Sequence, residues 1–268
     1  MGMAPPLPGD GDRWALFLDV DGTLVEIATT PHAVHVVPSL LPLLDRLRSL
    51  CDGALALVSG RRLADLDALF AQLHLPAAGL HGAERRRADG SPAPAQLDSA
   101  LLDGVRPVLL SFAAARPGLL LEDKGGSLAL HYRKAPQYGA ALRRFARGLA
   151  AAEPRLRLIE GRKVVELQPR GCDKGLAIAA FQDEPPFRGR RPVFAGDDTT
   201  DEDGFRAVNR LDGLSIKVMQ RETRMGPSSA ARFRVDSTAA LRDWLAAVAA
   251  RLEHTGRSGA PVFHRASN

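Results

Sequence analysis

Residues 16–24 read LFLDVDGTL, an apolar run that ends at two aspartates, Asp19 and Asp21, followed by Gly22 and Thr23. Such runs suit a strand buried on both faces, as in a parallel sheet covered by helices, and these sheets bind ligands beyond the carboxyl ends of their strands. The run therefore predicts a strand that delivers both acids to a site. The same residue types also favour a helix N-cap followed by a turn, so the pair alone leaves a purely structural role open.

The spacing of the two acids predicts a cation. Carboxylates at close range repel each other, which raises the pKa of one of them unless a positive charge lies nearby. Magnesium is a hard cation that takes carboxylate, carbonyl and water oxygens. We therefore expect Mg²⁺ as the cofactor of this site.

Length and composition are those of a globular protein. The chain has 268 residues, of which 45% are hydrophobic and 25% charged, so one large or two modest domains are expected. No apolar stretch approaches the roughly 20 residues of a membrane-spanning helix, and the N-terminus lacks the basic start and apolar region of a secretory signal. The two cysteines lack zinc-site spacing. We expect a cytoplasmic protein with no membrane partner.

The chain is basic, with a formal net charge of +5. A basic balance can attract phosphates, nucleic acid or an anionic membrane. The densest arginine runs, 85–87 and 188–191, are not interleaved with aromatic residues, which are only 5% of the chain. Stacking platforms for nucleic acid need such aromatics. The runs therefore predict solvated surface and no nucleic-acid partner.

Strands alternate with amphipathic helices in the two outer parts of the chain, which predicts a parallel sheet with right-handed crossovers. The N-terminal strand precedes a helix over 39–50 with Ser39 as N-cap, a strand over 54–58 and a helix over 63–73. The alternation resumes with a helix over 174–181, strands over 192–195 and 214–219, and a helix over 237–252.

A different pattern occupies the middle of the chain. A helix over 99–115 precedes strands over 118–123 and 127–133, and a helix over 137–152 precedes strands over 156–159 and 164–168. A helix followed by a hairpin, twice over, is typical of an antiparallel α+β unit. We predict an α/β fold whose Rossmann-like core spans 14–84 and 169–252, with an α+β cap over 85–168. A mobile segment over 1–13 and a tail over 253–268 complete the chain.

Four strand ends and helix starts carry residues suited to phosphoryl transfer. An aspartate can accept a phosphoryl group as an acyl phosphate, so Asp19 is the candidate nucleophile. Asp21 is placed to protonate the leaving oxygen and then to take a proton from water. Ser59 can hydrogen-bond a phosphoryl oxygen, and Lys174 can neutralise charge there. Asp197 would complete a metal site with Asp19 and the backbone carbonyl of Asp21, while Asp198 would act through water.

These motifs resemble the haloacid dehalogenase superfamily. They occur here as AspValAspGlyThr at 19–23, SerGly at 59–60, Lys174 and GlyAspAsp at 196–198. The resemblance covers the whole core, and the insertion lies where this superfamily carries a cap that selects substrates. It implies a Mg²⁺-dependent phosphatase that works through an aspartyl phosphate.

A narrower resemblance is to the trehalose-6-phosphate phosphatase family. It rests on HisGlyAlaGlu at 81–84, GluAspLys at 122–124, HisTyrArg at 131–133, ValValGlu at 164–166 and GlyAspAspThrThrAspGlu at 196–202. The resemblance runs from about Trp14 to Leu252 and implies a sugar phosphate, trehalose 6-phosphate, as the substrate.

Selection of a sugar requires charged groups that a wrong sugar would leave unpaired. Candidates from the cap are Glu122, Lys124 and Glu166, each of which could instead be an exposed strand charge. Arg133 could bind substrate or pair within its sheet. Further substrate-binding candidates in the core are Thr23, which could also support the nucleophile loop, Gly60 and Arg61.

The pattern leaves other roles open. His81 suits packing better than substrate contact, Glu84 is similar, and Asp201 could orient Lys174 or cap a helix. Two alternative functions also remain: a phosphatase for another sugar phosphate such as sucrose 6-phosphate, and an inactive sugar-phosphate sensor.

Overall fold

A computed structural model describes residues 3–28, 34–70, 73–94, 99–161, 163–219 and 229–258. The strands are β1 (Trp14–Leu18), β2 (Leu55–Val58), β3 (Ala77–Gly79), β4 (Glu84–Arg86), β5 (Leu120–Asp123), β6 (Leu128–His131), β7 (Leu156–Gly161), β8 (Val164–Pro169), β9 (Arg191–Gly196), β10 (Leu214–Val218) and β11 (Phe233–Val235). The helices are α1 (Leu40–Leu50), α2 (Leu63–Leu69), α3 (Ser99–Ala114), α4 (Gly139–Ala152), α5 (Lys174–Gln182), α6 (Glu202–Arg210) and α7 (Thr238–Ser258).

The larger sheet has the strand order β11-β10-β9-β1-β2-β3-β4. Its neighbouring strands are parallel, except that β4 runs antiparallel to β3 at one edge. All five residues of β1 and all four of β2 are buried, as expected of strands covered on both faces. The predicted α/β class is confirmed. The acids that follow β1 and β9 meet at one edge, because these parallel strands are neighbours in register from Trp14 to Leu18.

The helices cover the sheet through the faces their periodicity predicts. In α1 the buried residues are Leu40, Leu44 and Leu47, and Ser39 takes the N-cap position without a side-chain hydrogen bond to the helix. In α5 the N-cap is Asp173, whose carboxylate accepts the Leu176 amide at 2.8 Å. This cap fixes the start of the helix at Lys174.

Four short elements were not predicted: β3, β4, α6 and β11. The three strands have only three residues each, too few for an alternating pattern to be visible. The helix predicted over 63–73 ends at Leu69, and residues 71–72 lie outside the described part of the chain. Strand β4 also extends the larger sheet past residue 84, where the cap was predicted to begin.

The arginine run 85–87 is not a freely solvated surface, contrary to the sequence prediction. Arg85 makes paired hydrogen bonds to Glu184 at 2.8 Å, and Arg87 joins the same carboxylate at 3.3 Å. Arg86 bonds Asp67 at 2.8 Å. Because Arg85 and Arg86 lie mostly buried, these pairs hold the edge strand to the core rather than present charge to a polyanion.

The smaller sheet is antiparallel with the order β5-β6-β8-β7. Alternation along its strands gives it two unlike faces. One face packs on α3 and α4 through buried Leu128, Leu130, Val165 and Leu167. The opposite face is polar, because Glu122, Ala129 and Glu166 are register partners across three strands. The polar face therefore lies on the side of the sheet opposite α3 and α4.

The predicted mobile segment and tail are anchored where they are described. The Trp244 indole donates to the Pro6 carbonyl at 3.2 Å, and Arg251 donates to the Pro8 carbonyl at 3.2 Å. Helix α7 continues to Ser258, past the predicted end at 252, and Glu253 pairs with Arg46 at 2.6 Å. Residues 259–268 lie outside the described residues.

Among the described helices, none combines the length and the apolar character that crossing a membrane requires.

We expect the small-sheet core to be sensitive to cavities. Leu167 is 1% exposed, so Leu167→Ala should lower the free energy of unfolding by about 2–5 kcal/mol, measured by denaturant titration. The control is Leu120→Ala in the same sheet, where the side chain is 65% exposed, and a change within about 0.5 kcal/mol is expected. Equal losses in both variants would contradict the assignment of the apolar face.

Candidate active site

A buried lysine joins two carboxylates at the edge of the larger sheet. Lys174, the first residue of α5, places its Nζ 2.7 Å from Asp19 Oδ1 and 2.6 Å from Asp201 Oδ1. All three residues are at most 4% exposed. Asp201 also accepts hydrogen bonds from the backbone amides of Asp197 and Asp198, each at 2.8 Å, through its other oxygen. Asp201 therefore orients both the lysine and the end of β9, which was one of the two roles that the sequence left open.

Burial and neighbouring charges have opposite effects on the pKa values of Asp19 and Lys174. Burial raises the pKa of Asp19 to about 7, although Lys174 opposes that rise. Burial alone would lower the pKa of Lys174, but Asp19 and Asp201 raise it instead, so the ammonium stays charged. The pKa of Asp197 is also raised, by burial and by repulsion from Asp201 and Asp19.

The oxygen cluster suits a cation. Asp19, Asp197 and Asp201 each offer a carboxylate oxygen, and these oxygens lie within 4.8 Å of one another. Because Asp201 already binds Lys174 and two amides, Asp19 and Asp197 are the better placed ligands. Asp198, predicted to act on the metal through water, is exposed and lies outside this cluster.

Two small residues after β1 let Asp197 approach. A Cβ on Gly22 would lie 2.2 Å from Asp197 Oδ2, and Gly22 has a φ of +75° that side chains rarely adopt. Thr23 is fully buried, and its hydroxyl lies 3.3 Å from Asp19 Oδ2 and 3.5 Å from Asp197 Oδ1. Thr23 is thus placed to support the carboxylates, which was one of the two roles that the sequence left open for it.

The candidate acid and base, Asp21, is held by Arg61. The guanidinium makes a two-pronged ion pair with the Asp21 carboxylate, at 2.6 Å from Nε and 2.7 Å from Nη2. The Arg61 amide also donates to Ser59 Oγ at 3.2 Å, so the loop after β2 fixes its own hydroxyl. Two predicted site residues from different strands, Asp21 and Arg61, are therefore in direct contact.

The predicted cap residues form a second polar group. Glu166 accepts hydrogen bonds from Lys124 at 2.9 Å and from the Ser127 hydroxyl at 2.5 Å. Burial alone would raise the pKa of Glu166, yet neighbouring His81, Lys124 and Ser127 hold it well below the usual range.

Glu122 lies on the same face of the small sheet and pairs with a histidine. Its carboxylate lies 2.8 Å from His131 Nε2, a contact that lowers the Glu122 pKa. Arg133 is exposed and follows the other end of β6 from Ser127. The structure thus brings three of the four cap candidates onto one face.

Residues of both sheets meet across a cleft. His81 Nε2 lies 3.6 Å from Glu166 Oε1, and Arg157 of β7 lies 2.5 Å from Asp203 at the start of α6. Lys174 and Gln168 also line this cleft. The polar face of the small sheet therefore lies opposite the lysine.

Sequence reasoning missed Ser127 and Arg157 and left Glu84 open. Ser127 follows two glycines and Arg157 begins an ordinary strand, so neither carries a motif. Glu84 accepts the amide of Leu63, the first residue of α2, at 2.9 Å, which is a structural role. The hydrogen bond of Ser127 to Glu166 within the small sheet and the contact of Arg157 with Asp203 across the cleft reveal these two residues.

The fold and the acid cluster define a class. Haloacid dehalogenase-type phosphatases share this architecture: a parallel α/β core with an acid pair after β1, a lysine as the first residue of α5, and an inserted α+β unit. Solved structures support the fold. The C-terminal domain of Candida albicans trehalose-6-phosphate phosphatase matches with a TM-score of 0.75 at 20% identity, covering 89% of this chain and 92% of that one. A "trehalose-6-phosphate phosphatase related protein" matches with a TM-score of 0.70 at 26% identity, covering 89% and 98%.

Sequence comparison identifies the family within this class. The trehalose-phosphatase family model matches residues 17–239. The trehalose-6-phosphate phosphatase of Escherichia coli K12 is 48% identical over 77% of this chain and 77% of its own length. A Sinorhizobium fredii protein described as "Probable trehalose-phosphate phosphatase" is 46% identical over 91% of this chain and 90% of its own length. The chain belongs to the trehalose-phosphatase family.

The approach of Asp197 to Gly22 gives a direct test of the acid cluster. Gly22→Ala should lower activity about 100-fold or more, because a displaced carboxylate misplaces the reacting groups. Gly189→Ala is the matched control, since Gly189 has a φ of +73° with nothing within 4 Å of an added Cβ. Both variants should lose about 1 kcal/mol of stability from backbone strain, but only the first should lose activity. Phosphate release and thermal melting measure the two effects, and retained activity in Gly22→Ala would contradict the geometry.

Proposed function

We propose that this chain hydrolyses trehalose 6-phosphate to trehalose and phosphate, with Asp19 as nucleophile. The observation that carries the proposal is a cleft lined both by Lys174, which bonds Asp19, and by Gln168 of the small sheet. Glu166, which precedes Gln168 on the same strand and the same face, is paired with Lys124. A phosphate can lie at the first group while a sugar reaches the second. Membership of the trehalose-phosphatase family supports trehalose as that sugar.

In the first step an Asp19 carboxylate oxygen attacks phosphorus in line with the leaving oxygen. The bond between phosphorus and the sugar oxygen breaks, and its electron pair stays on that oxygen, which takes a proton from Asp21. Lys174 holds Asp19 in place, and the Ser59 hydroxyl can donate to a phosphoryl oxygen. The products of this step are trehalose and an aspartyl phosphate.

In the second step water attacks the phosphorus of the acyl phosphate. Asp21, now a carboxylate, removes a proton from that water, and the bond between phosphorus and the Asp19 oxygen breaks. Inorganic phosphate leaves and both aspartates return to their starting states. One carboxyl group therefore serves as acid and then as base.

The Asp21 carboxylate makes a two-pronged ion pair with Arg61. An incoming phosphate is a second anion that competes for the same guanidinium. Binding of the phosphate would therefore draw Arg61 away from Asp21 and leave the Asp21 carboxyl oxygens free to reach the leaving sugar oxygen.

The donor set fits Mg²⁺. Asp19 and Asp197 offer buried carboxylate oxygens whose pKa values are raised chiefly by burial, and oxygen is the ligand that magnesium prefers. These two residues, together with the Asp21 backbone carbonyl, would hold the ion. When bound, it would shield the negative charge of the phosphate from the carboxylates.

Substrate entry requires the two sheets to separate. The cleft between His81, Arg157 and Lys174 has no room for even a water molecule, so a sugar cannot enter it in this arrangement. Arg157 holds the sheets together through Asp203 at 2.5 Å, with Asp173 at 4.0 Å. Opening must break this pair, and closure around a sugar would remake it while excluding water from the first step.

A panel of sugar phosphates tests the substrate. Released phosphate should be greatest with trehalose 6-phosphate, against sucrose 6-phosphate and glucose 6-phosphate, and Asp19→Asn should lower turnover by about 1,000-fold or more. Asp236→Asn, which changes an exposed aspartate, should leave turnover unchanged. Equal rates with every sugar would reject trehalose 6-phosphate, and saturable binding without turnover by the unmodified protein would indicate a sensor.

The raised carboxyl pKa values predict a pH-dependent response to Mg²⁺. With its pKa raised from 3.8 to about 7, Asp19 binds a proton more tightly in the folded state than in the unfolded state. Asp19 therefore destabilises the metal-free protein increasingly as pH rises between these values. Magnesium can replace the proton, so the rise in melting temperature on adding Mg²⁺ should be larger at about pH 8 than at about pH 5.

Calorimetric or fluorescence melting at both pH values measures this response. Asp197→Asn, which removes one ligand charge, should reduce the magnesium-induced shift at the higher pH. A magnesium-induced rise in melting temperature that is equal at both pH values, or larger in acid, would contradict the predicted coupling between Mg²⁺ binding and deprotonation of Asp19.

A further inference from the structure

We propose that His81 binds a sugar hydroxyl of the substrate. The histidine lies between the predicted cap and the loop over 59–61 that follows β2, the proposed phosphate-binding loop. The inference deepens the proposed function and rests on it. His81 is 7% exposed, and neither ring nitrogen has a hydrogen-bond partner among the described residues. A buried imidazole without partners is costly, because both nitrogens lose their hydrogen bonds to water. The ring therefore points to a ligand that restores them.

The backbone around His81 is strained in a way that fixes this ring. His81 and the preceding Leu80 both have left-handed φ values, 57° and 48°, which residues other than glycine rarely adopt. The His81 amide donates to the Ser59 carbonyl at 3.0 Å, and the Leu80 amide donates to the Arg61 carbonyl at 2.8 Å. Strain of this kind persists where the surroundings enforce it, often at functional sites. The same loop that presents the Ser59 hydroxyl thus sets the position of the imidazole.

The ring lies where a sugar phosphate must pass. A Cβ on Gly60 would lie 2.8 Å from His81 Nε2, so the ring packs directly on the phosphate-binding loop. The same nitrogen is 3.6 Å from Glu166 Oε1 on the cap. A ligand whose phosphate lies at Asp19 and whose sugar reaches Glu166 passes this point.

A sugar hydroxyl matches this gap chemically. A hydroxyl donates one hydrogen bond and accepts others, while a neutral imidazole carries one donor and one acceptor nitrogen. A hydroxyl that approaches beside the two groups can therefore lie within hydrogen-bond distance of both Nε2 and the Glu166 oxygen, which at 3.6 Å are too far apart for a good hydrogen bond to each other. Lys124 and Ser127 also bond the Glu166 carboxylate, so it keeps these two partners when the hydroxyl binds.

The test compares two substrates in His81 variants. Trehalose 6-phosphate presents sugar hydroxyls, whereas p-nitrophenyl phosphate presents a phosphate ester without them. His81→Leu should lower kcat/KM for trehalose 6-phosphate about tenfold or more, the effect of losing a hydrogen bond to a buried group, and should change kcat/KM for p-nitrophenyl phosphate less than twofold. Leucine is a suitable replacement because Leu80 adopts nearly the same φ.

His81→Asn is the second variant, because asparagine tolerates left-handed φ values and keeps a donor and an acceptor. It should recover part of the trehalose 6-phosphate activity. His74→Leu, which changes an exposed histidine of the core, is the control and should alter neither substrate. Thermal melting of each variant separates a binding loss from unfolding.

Each outcome decides between explanations. Parallel losses with both substrates would overturn the proposal and show that the ring supports the phosphate-binding loop. No loss with either would also overturn it and leave packing as its role. A deoxy analogue of trehalose 6-phosphate that lacks the contacted hydroxyl should be penalised by the unmodified protein and not by His81→Leu; equal penalties for every deoxy analogue would count against the contact. Failure of the proposed function is a separate result, namely an unmodified protein that shows no preference for trehalose 6-phosphate over other sugar phosphates.

Discussion

The site depends on one buried ammonium group. A lysine excluded from water must be paired, and Lys174 takes one carboxylate from the end of β1 and another from the turn before α6. Because the second carboxylate also binds the amides at the end of β9, one cation fixes three segments that are distant in sequence. Removing Lys174 would leave two buried carboxylates without their cation. The position of Asp19, the proposed nucleophile, is therefore fixed by folding.

The core of the fold could be predicted from the sequence because its signals are local. Apolar runs such as 54–58 and the leucine spacing of α1 identify buried strands and amphipathic helices, and parallel strands carry their terminal acids to one edge. Strands β3 and β11 could not be predicted, since three residues show no period. Strand β4 has the local sequence of a charged loop. Its arginines are neutralised by Glu184 and Asp67, which are remote in sequence, so the strand could not be predicted from its own residues.

Contacts between the two sheets had no sequence signal. The pairing of Arg157 with Asp203 and the approach of His81 to Glu166 depend on how the small sheet lies over the large one, which neither periodicity nor motif specifies. A motif indicated His81, but the burial of its ring and the lack of hydrogen-bond partners for both nitrogens among the described residues are properties of the folded chain alone. Local patterns thus identified the buried acids and their lysine better than the contacts between the two sheets.

Charges on the polar face of the small sheet are paired in this arrangement, which bears on the proposed selectivity. Glu166 bonds Lys124 and Glu122 contacts His131 within the sheet, while Arg157 bonds Asp203 of α6 across the cleft. A sugar that enters must separate or extend these pairs, and it recovers the cost only if its hydroxyls meet every group that it disturbs. A sugar with a hydroxyl in the wrong position leaves a desolvated charge without a partner, a penalty larger than the benefit of an added contact. In the proposed function, pairing of these charges before the substrate binds therefore penalises wrong sugars.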